Sequence, residues 1–172
     1  MKKIAVTIVI FSLVCGLAAQ TPPRIRELGE NFTYAALECL GPYEQIPAKL
    51  GELMAEADKQ KLEPLDGPCL IYYNSPGQLK AEELRWDVCL PVGAQDKVAP
   101  PLKKGEYRHT TVAEVIYKGP YAGVSAAYPP LMQFIAQSGY AVCGPICESY
   151  LDDPSDTRPE ECRTLIVVPV KK

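Results

Sequence analysis

Histidine is nearly missing from this chain of 172 residues: His109 stands alone. That closes off several kinds of chemistry. A histidine-based metal centre has no ligands to draw on, and Cys143-x3-Cys147, the one close cysteine pair, has no histidine near it in sequence. A Ser-His-Asp set would have to run through His109, which opens a strand-like run beside Arg108, and no G-x-S-x-G motif occurs. A glycine-rich phosphate loop is also lacking, since Gly139 to Gly144 does not have the pattern. No cofactor is therefore implied. Clusters of Lys and Arg are absent and the formal charge is −3, so nucleic acid is not an expected partner. The acidic run Asp152-Asp153-Pro154-Ser155-Asp156 has neither the spacing nor the glycine of a calcium loop and reads as a solvated turn.

Long apolar runs are scarce as well. The single clear one, Ile4 to Val14, follows Lys2-Lys3 and precedes Gly16-Leu17-Ala18-Ala19. It is shorter than the roughly 20 residues that span a bilayer, and its flanks are those of a secretory signal cut after Ala19. A periplasmic or secreted protein with no transmembrane helix after cleavage is the expectation. A lipid anchor on Cys15 fits less well, because Val14 stands where a small residue is wanted. Six cysteines remain after cleavage: 39, 69, 89, 143, 147 and 162. An even count in an exported protein points to one to three disulfides, with the pairing open.

The dominant feature that is present is a repeat. At an offset of 78, Gly41-Pro42-Tyr43 falls on Gly119-Pro120-Tyr121, Leu53-Met54 on Leu131-Met132 and Arg85 on Arg163. At an offset of 77, Gly67-Pro68 falls on Gly144-Pro145 and Tyr73 on Tyr150. This ordered series reads as two copies of one unit. Each copy has a β-rich run, a Gly-Pro-Tyr turn, a helix with apolar residues three and four apart, and two closing strands. Ile46, Leu50, Leu53, Met54 and Ala57 mark the first helix; the second covers roughly Val124 to Ser138, with Pro129-Pro130 forcing a kink or restart. The expected architecture is α+β: duplicated β-α-β-β units forming antiparallel sheets, helices on one face and a ligand crevice at the pseudo-two-fold interface. The expected division is a signal at 1–19, a linker at 20–32, repeat one at 33–92, a connector at 93–108 and repeat two at 109–170.

Within that frame, Glu148 is the residue of interest. It sits in the short strand Ile146 to Leu151, where alternation puts Ile146, Glu148 and Tyr150 on one face. Its counterpart at the offset of 77 is the apolar Ile71, so the repeat does not itself require a charge there. A carboxylate in the crevice, with Tyr73, Tyr117, Tyr150 and the lone Trp86 around it, would hold a cationic ligand through charge and cation–π contact. The same group with a raised pKa would serve as a general base on water. Glu38 and Glu114 interrupt first-strand runs and read as solvent-facing.

The duplicated unit and the second-copy pattern Gly144-Pro145, Glu148-x-Tyr150-Leu151-x-Asp153-Pro154, Pro159-Glu160-Glu161 and Val168-Pro169-Val170 resemble the GyrI-like small-molecule-binding domain. That domain is also the effector-binding module of AraC-type and MerR-type multidrug regulators. The resemblance covers about residues 33–172. It implies a crevice that takes amphipathic, often cationic aromatic compounds, with the acid at Glu148 touching the ligand. It also implies an alternative, because some stand-alone relatives are hydrolases that open cyclopropane rings, with the matching Glu helping to activate water. The cysteines are no part of the family pattern.

Overall fold

The computed structural model describes residues 19–28 and 31–172. The signal-peptide reading, apart from Ala19, and Cys15 fall outside them. Its strands are β1 (Ala19–Gln20), β2 (Arg24–Glu27), β3 (Phe32–Leu40), β4 (Cys69–Tyr72), β5 (Arg85–Pro91), β6 (Lys103–Tyr107), β7 (Thr111–Lys118), β8 (Ala141–Val142), β9 (Ile146–Tyr150) and β10 (Arg163–Lys171). Helix α1 (Ile46–Gln60) lies between β3 and β4, and α2 (Tyr128–Gln137) between β7 and β8. Every pairing among the described strands is antiparallel.

The central strands show little alternation of burial: five of the seven residues of β5 are buried in a row. Both faces of the sheet are therefore covered. One face carries the two helices. Leu53 and Ala57 of α1 pack on Leu70, Trp86 and Val88, and Leu131 and Ile135 of α2 pack on Val115, Ile166 and Val168. The other face closes on itself around Tyr34, Cys69, Ile71, Cys89, Tyr107, Cys147 and Val167.

That closure follows from chain length. The strand order runs β1-β7-β10-β9-β4-β5-β3-β6, with β2 also on β7 and β8 also on β10. In a flat sheet, β6 would lie about 29 Å from β7 at roughly 4.8 Å per strand. Yet β6 ends at Tyr107 and β7 begins at Thr111, a link that spans at most about 14 Å. The sheet must curl until its edges approach, which makes one face a concave interior. Gly105 shows how tight that interior is: a Cβ there would overlap the Tyr34 ring on the neighbouring strand. Gly105→Ala is expected to lose about 1–3 kcal/mol of stability in chemical denaturation.

The linker reading of 20–32 needs correction. Arg24–Glu27 form β2 on β7, and Lys103–Tyr107 of the connector form β6 on β3. Each half thus gains an outer strand from the segment that precedes the other half. Glu114 is likewise not solvent-facing: it is buried and accepts hydrogen bonds from Arg24 Nε at 2.7 Å and Arg26 Nε at 2.9 Å. Glu38 is exposed and pairs with Lys103.

The second helix starts later than its apolar residues imply. Tyr121–Ala127 form 3-10 turns, and α2 begins at Tyr128 with Pro129-Pro130 in its first turn. Backbone N–H groups have no helical acceptor there, so the prolines begin the helix and do not kink it.

Several contacts of the two halves correspond at an offset of 78. Tyr34 pairs with Pro91, and Val112 with Pro169. The Tyr43 hydroxyl donates to the carbonyl of Asn74, and the Tyr121 hydroxyl to that of Asp152. The same offset governs the closing strands, since Leu70 pairs with Val88 and Glu148 with Ile166. The counterpart of Glu148 is therefore Leu70, not Ile71. The slip to 77 at Gly144-Pro145 is made good by one added residue, Ile146, the first of β9. Leu70 and Glu148 are also direct partners across β4 and β9, so they face the same side, while Ile71 faces the concave interior.

A carboxylate cleft between the halves

The helix-side face of β4 and β9 forms the floor of a cleft of about 670 Å³. Tyr43 closes one wall from the turn before α1; Tyr128 and Met132 of α2 close the other; Tyr72, Ile146 and Glu148 lie at the base. Strand alternation aims these last three together, because Tyr72 pairs directly with Ile146 and stands beside the Leu70–Glu148 pair.

Glu148 is 2% exposed. Tyr72 donates its hydroxyl to Oε2 at 3.0 Å, and Tyr128 donates to Oε1. Burial raises the carboxyl pKa, and the two phenol donors oppose that rise. Burial and then the nearby Glu148 charge push both phenols far up, so they stay protonated and act as donors. No Lys, Arg or His lines the cleft among the described residues. The arrangement is a recessed negative charge held by two tyrosines, without a protein counter-ion, at the base of an aromatic and apolar opening. It presents an electrostatic minimum to a cation and flat apolar surface to the rest of a ligand.

The other expected ligand residues are placed differently. Tyr73 stands at the rim, its hydroxyl donating to Asp87 Oδ2 at 2.6 Å and the Arg85 guanidinium 5.5 Å over its ring. Tyr150 lies on the Glu148 face but outside the cleft lining, its ring 4.6 Å from that of Tyr121. Trp86 lies outside the cleft lining. It is fully buried and donates Nε1–H to the carbonyl of Gly41 at 2.9 Å, although its ring backs the wall residue Tyr43 edge-on at 6.1 Å. Tyr117 is also core: it is 2% exposed and its hydroxyl donates to the carbonyl of Pro120. Tyr43, Tyr72, Tyr128 and Met132 are the lining residues that sequence reasoning missed. The signal for Tyr72 was present, because the offset of 78 pairs it with Tyr150, whereas 77 selects Tyr73. A one-residue slip chooses the wrong face of a strand.

No group of three or more His, Cys, Asp or Glu among the described residues is arranged to hold a metal ion. The disulfides expected from the even cysteine count are not formed: all six described cysteines carry free thiols. His109 precedes β7, and its ring contacts Tyr107 edge-on at 4.7 Å. No described helix is long and apolar enough to cross a membrane.

Fold and cleft together define a small-molecule-binding module built from two matching halves. The sequence pattern of the GyrI-like small molecule binding domain matches residues 21–171, and the chain belongs to that family. Among relatives, a DNA gyrase inhibitor of Pectobacterium carotovorum subsp. carotovorum (strain PC1) is 31% identical over 143 residues, covering 76% of this chain and 87% of that protein. The C-terminal domain of EcmrR superposes with a TM-score of 0.69 at 22% identity, covering 88% of this chain and 98% of that one. A hydrolase from Listeria innocua superposes with a TM-score of 0.66 at 13% identity, covering 87% and 91%. A further structure, solved with tetraphenylphosphonium bound, superposes with a TM-score of 0.63 at 15% identity, covering 88% and 94%.

Proposed function

We propose that this protein captures amphipathic aromatic compounds carrying a positive charge, and that it does so as an exported protein. One observation carries the ligand reading: Glu148 is buried at the base of an aromatic cleft, and no cationic side chain among the described residues lines that cleft. A ligand cation supplies the missing partner. The relative bound to tetraphenylphosphonium supports the same chemistry. The test is titration of the protein with tetraphenylphosphonium, followed through the fluorescence of Trp86, whose ring touches the wall residue Tyr43. Saturable quenching or enhancement is expected, and a flat titration, confirmed by calorimetry, refutes the reading. For export, the mass of protein recovered from outside the cytoplasm is expected to lack residues 1–19; an intact N-terminus there counts against it.

The alternative is a hydrolase that opens strained rings with Glu148 activating water, and the name of the Listeria innocua neighbour keeps it in view. The geometry favours binding. Both oxygens of Glu148 already accept a hydrogen bond from a phenol, so each is engaged at the position from which it would take a proton from water. Incubation with a cyclopropane-bearing alkylator is expected to give no ring-opened product above the uncatalysed rate; product lost in Glu148→Gln would establish the hydrolase instead.

Cation binding also carries a proton linkage. The carboxyl pKa is raised in the empty cleft, and a bound cation favours the charged form and lowers it again. Binding therefore releases a proton near and below the raised pKa, and affinity rises with pH until Glu148 is fully ionised. Calorimetry in two buffers of different ionisation enthalpy is expected to report that proton at acidic pH and none at alkaline pH.

A further inference from the structure

The concave interior of the sheet holds three cysteines in one cluster, Cys69, Cys89 and Cys147, which the ligand cleft on the opposite face does not use. All three are at most 2% exposed. The pairing registers distinguish them. Cys69 lies directly opposite Cys89 across β4 and β5. Across β4 and β9 the direct partner of Cys69 is Ser149, and that of Cys147 is Ile71. Cys69 and Cys147 are thus diagonal neighbours, and Cys89 and Cys147 are separated by the whole of β4.

These relations decide which bond the fold admits. Directly opposed residues in an antiparallel pair have Cα atoms about 4.5–5.5 Å apart, inside the roughly 4.4–6.8 Å that a disulfide accepts. Diagonal neighbours are about 7–8 Å apart and strands two places away are about 9.6 Å apart, both beyond that range. The remaining described cysteines are elsewhere. Cys39 packs on the helix side of the sheet, Cys143 is exposed beside β8, and Cys162 precedes β10 with its thiol toward the carbonyl of Thr157.

We propose that Cys69 and Cys89 are an oxidation site: a dithiol that small disulfides of the glutathione type convert to an intramolecular disulfide. The thiolate of one cysteine attacks a sulfur of the small disulfide, forming a mixed disulfide and releasing one small thiolate. The second cysteine then attacks the protein-bound sulfur of that mixed disulfide and releases the other. Both small thiolates leave as thiols with the two protons that the protein gives up, so one disulfide is reduced for each one formed. Against an opposing hydrogen bond with Cys147, the hydrogen bond with Cys89 and burial hold the Cys69 thiol well above its ordinary pKa, and burial raises that of Cys89, so exchange proceeds while the chain folds and is slow once the interior has closed. The bond ties β4, which carries the cleft residue Tyr72, to β5, and by closing the loop from Cys69 to Cys89 it removes conformational freedom from the unfolded chain.

The experiment is refolding from denaturant in a reduced and oxidised glutathione mixture, an alkylation quench and peptide mapping. One linked pair, Cys69–Cys89, is expected, with Cys39, Cys143, Cys147 and Cys162 alkylated. The oxidised protein is expected to unfold at a temperature higher than its reduced form by on the order of 5–10 °C. In Cys89→Ala that difference between oxidised and reduced samples disappears, whatever the absolute stability of the variant. Cys147→Ala is expected to keep both the linked pair and the difference. Six alkylated thiols after oxidative refolding, a link to Cys147, or equal unfolding temperatures in the two states would each overturn the proposal.

Discussion

Glu148→Gln is expected to weaken tetraphenylphosphonium binding by on the order of 30-fold, about 2 kcal/mol, the lower end of what removing one partner of a buried charge pair costs. Gln keeps the shape and an acceptor for one of the two phenols but removes the charge. The same change is expected to raise the stability of the ligand-free protein by on the order of 1 kcal/mol at neutral pH, because a buried carboxylate with no cationic side chain beside it among the described residues is costly. The sign can be checked against pH. Glu148 has a folded-state pKa raised by burial, so the folded protein binds the proton more tightly than the unfolded chain does. Its contribution to stability is fully present below the ordinary carboxyl pKa and is lost as pH rises through the raised value. The advantage of Gln over Glu should therefore be largest at neutral and alkaline pH and shrink in acid. Denaturant titrations at several pH values measure this, and binding titrations of the same two proteins measure the rest. Unchanged affinity would mean that the aromatic walls hold the ligand without the carboxylate.

Trp86→Ala is expected to cost about 3–5 kcal/mol of stability, the range for deleting a buried large aromatic side chain. The side chain is wholly enclosed, and its removal leaves the Gly41 carbonyl without the indole donor that now reaches it at 2.9 Å. Gly41 is at the turn that brings Tyr43 to the cleft, with φ at +120°, and Tyr43 rests edge-on against the indole. The loss should appear as a lower denaturant midpoint. Trp86→Phe restores ring volume without the donor and is expected to lose less. A Trp86→Ala variant as stable as the wild type would contradict the core placement.

Much of the fold was legible because it is written in local signals. Gly-Pro-Tyr before each helix, the apolar spacing of Ile46, Leu50, Leu53 and Ala57, and the aliphatic run of β10 all state a conformation within a few residues. The outer strand β2 was not legible. Arg24 to Glu27 carry three charges in four residues, and nothing in their pattern tells a linker from an edge strand whose partner lies some 90 residues away. Glu114 was misread for the same reason, since the arginines that bury it come from that strand. Trp86 and Tyr117, expected at the ligand from residue type, lie buried outside the cleft lining, because type does not fix the direction of a side chain.

By itself, the sequence determined the α+β class and singled out Glu148, because a charge inside an apolar strand is visible without neighbours. It could not determine which tyrosines meet that charge. An offset of 77 or 78 changes a matched sequence very little, yet it moves each side chain of a strand to the opposite face. Only the hydrogen-bonded registers of β4, β5, β9 and β10 fix the offset. They bring Tyr72 to Glu148 and turn Cys69 away, opposite Cys89.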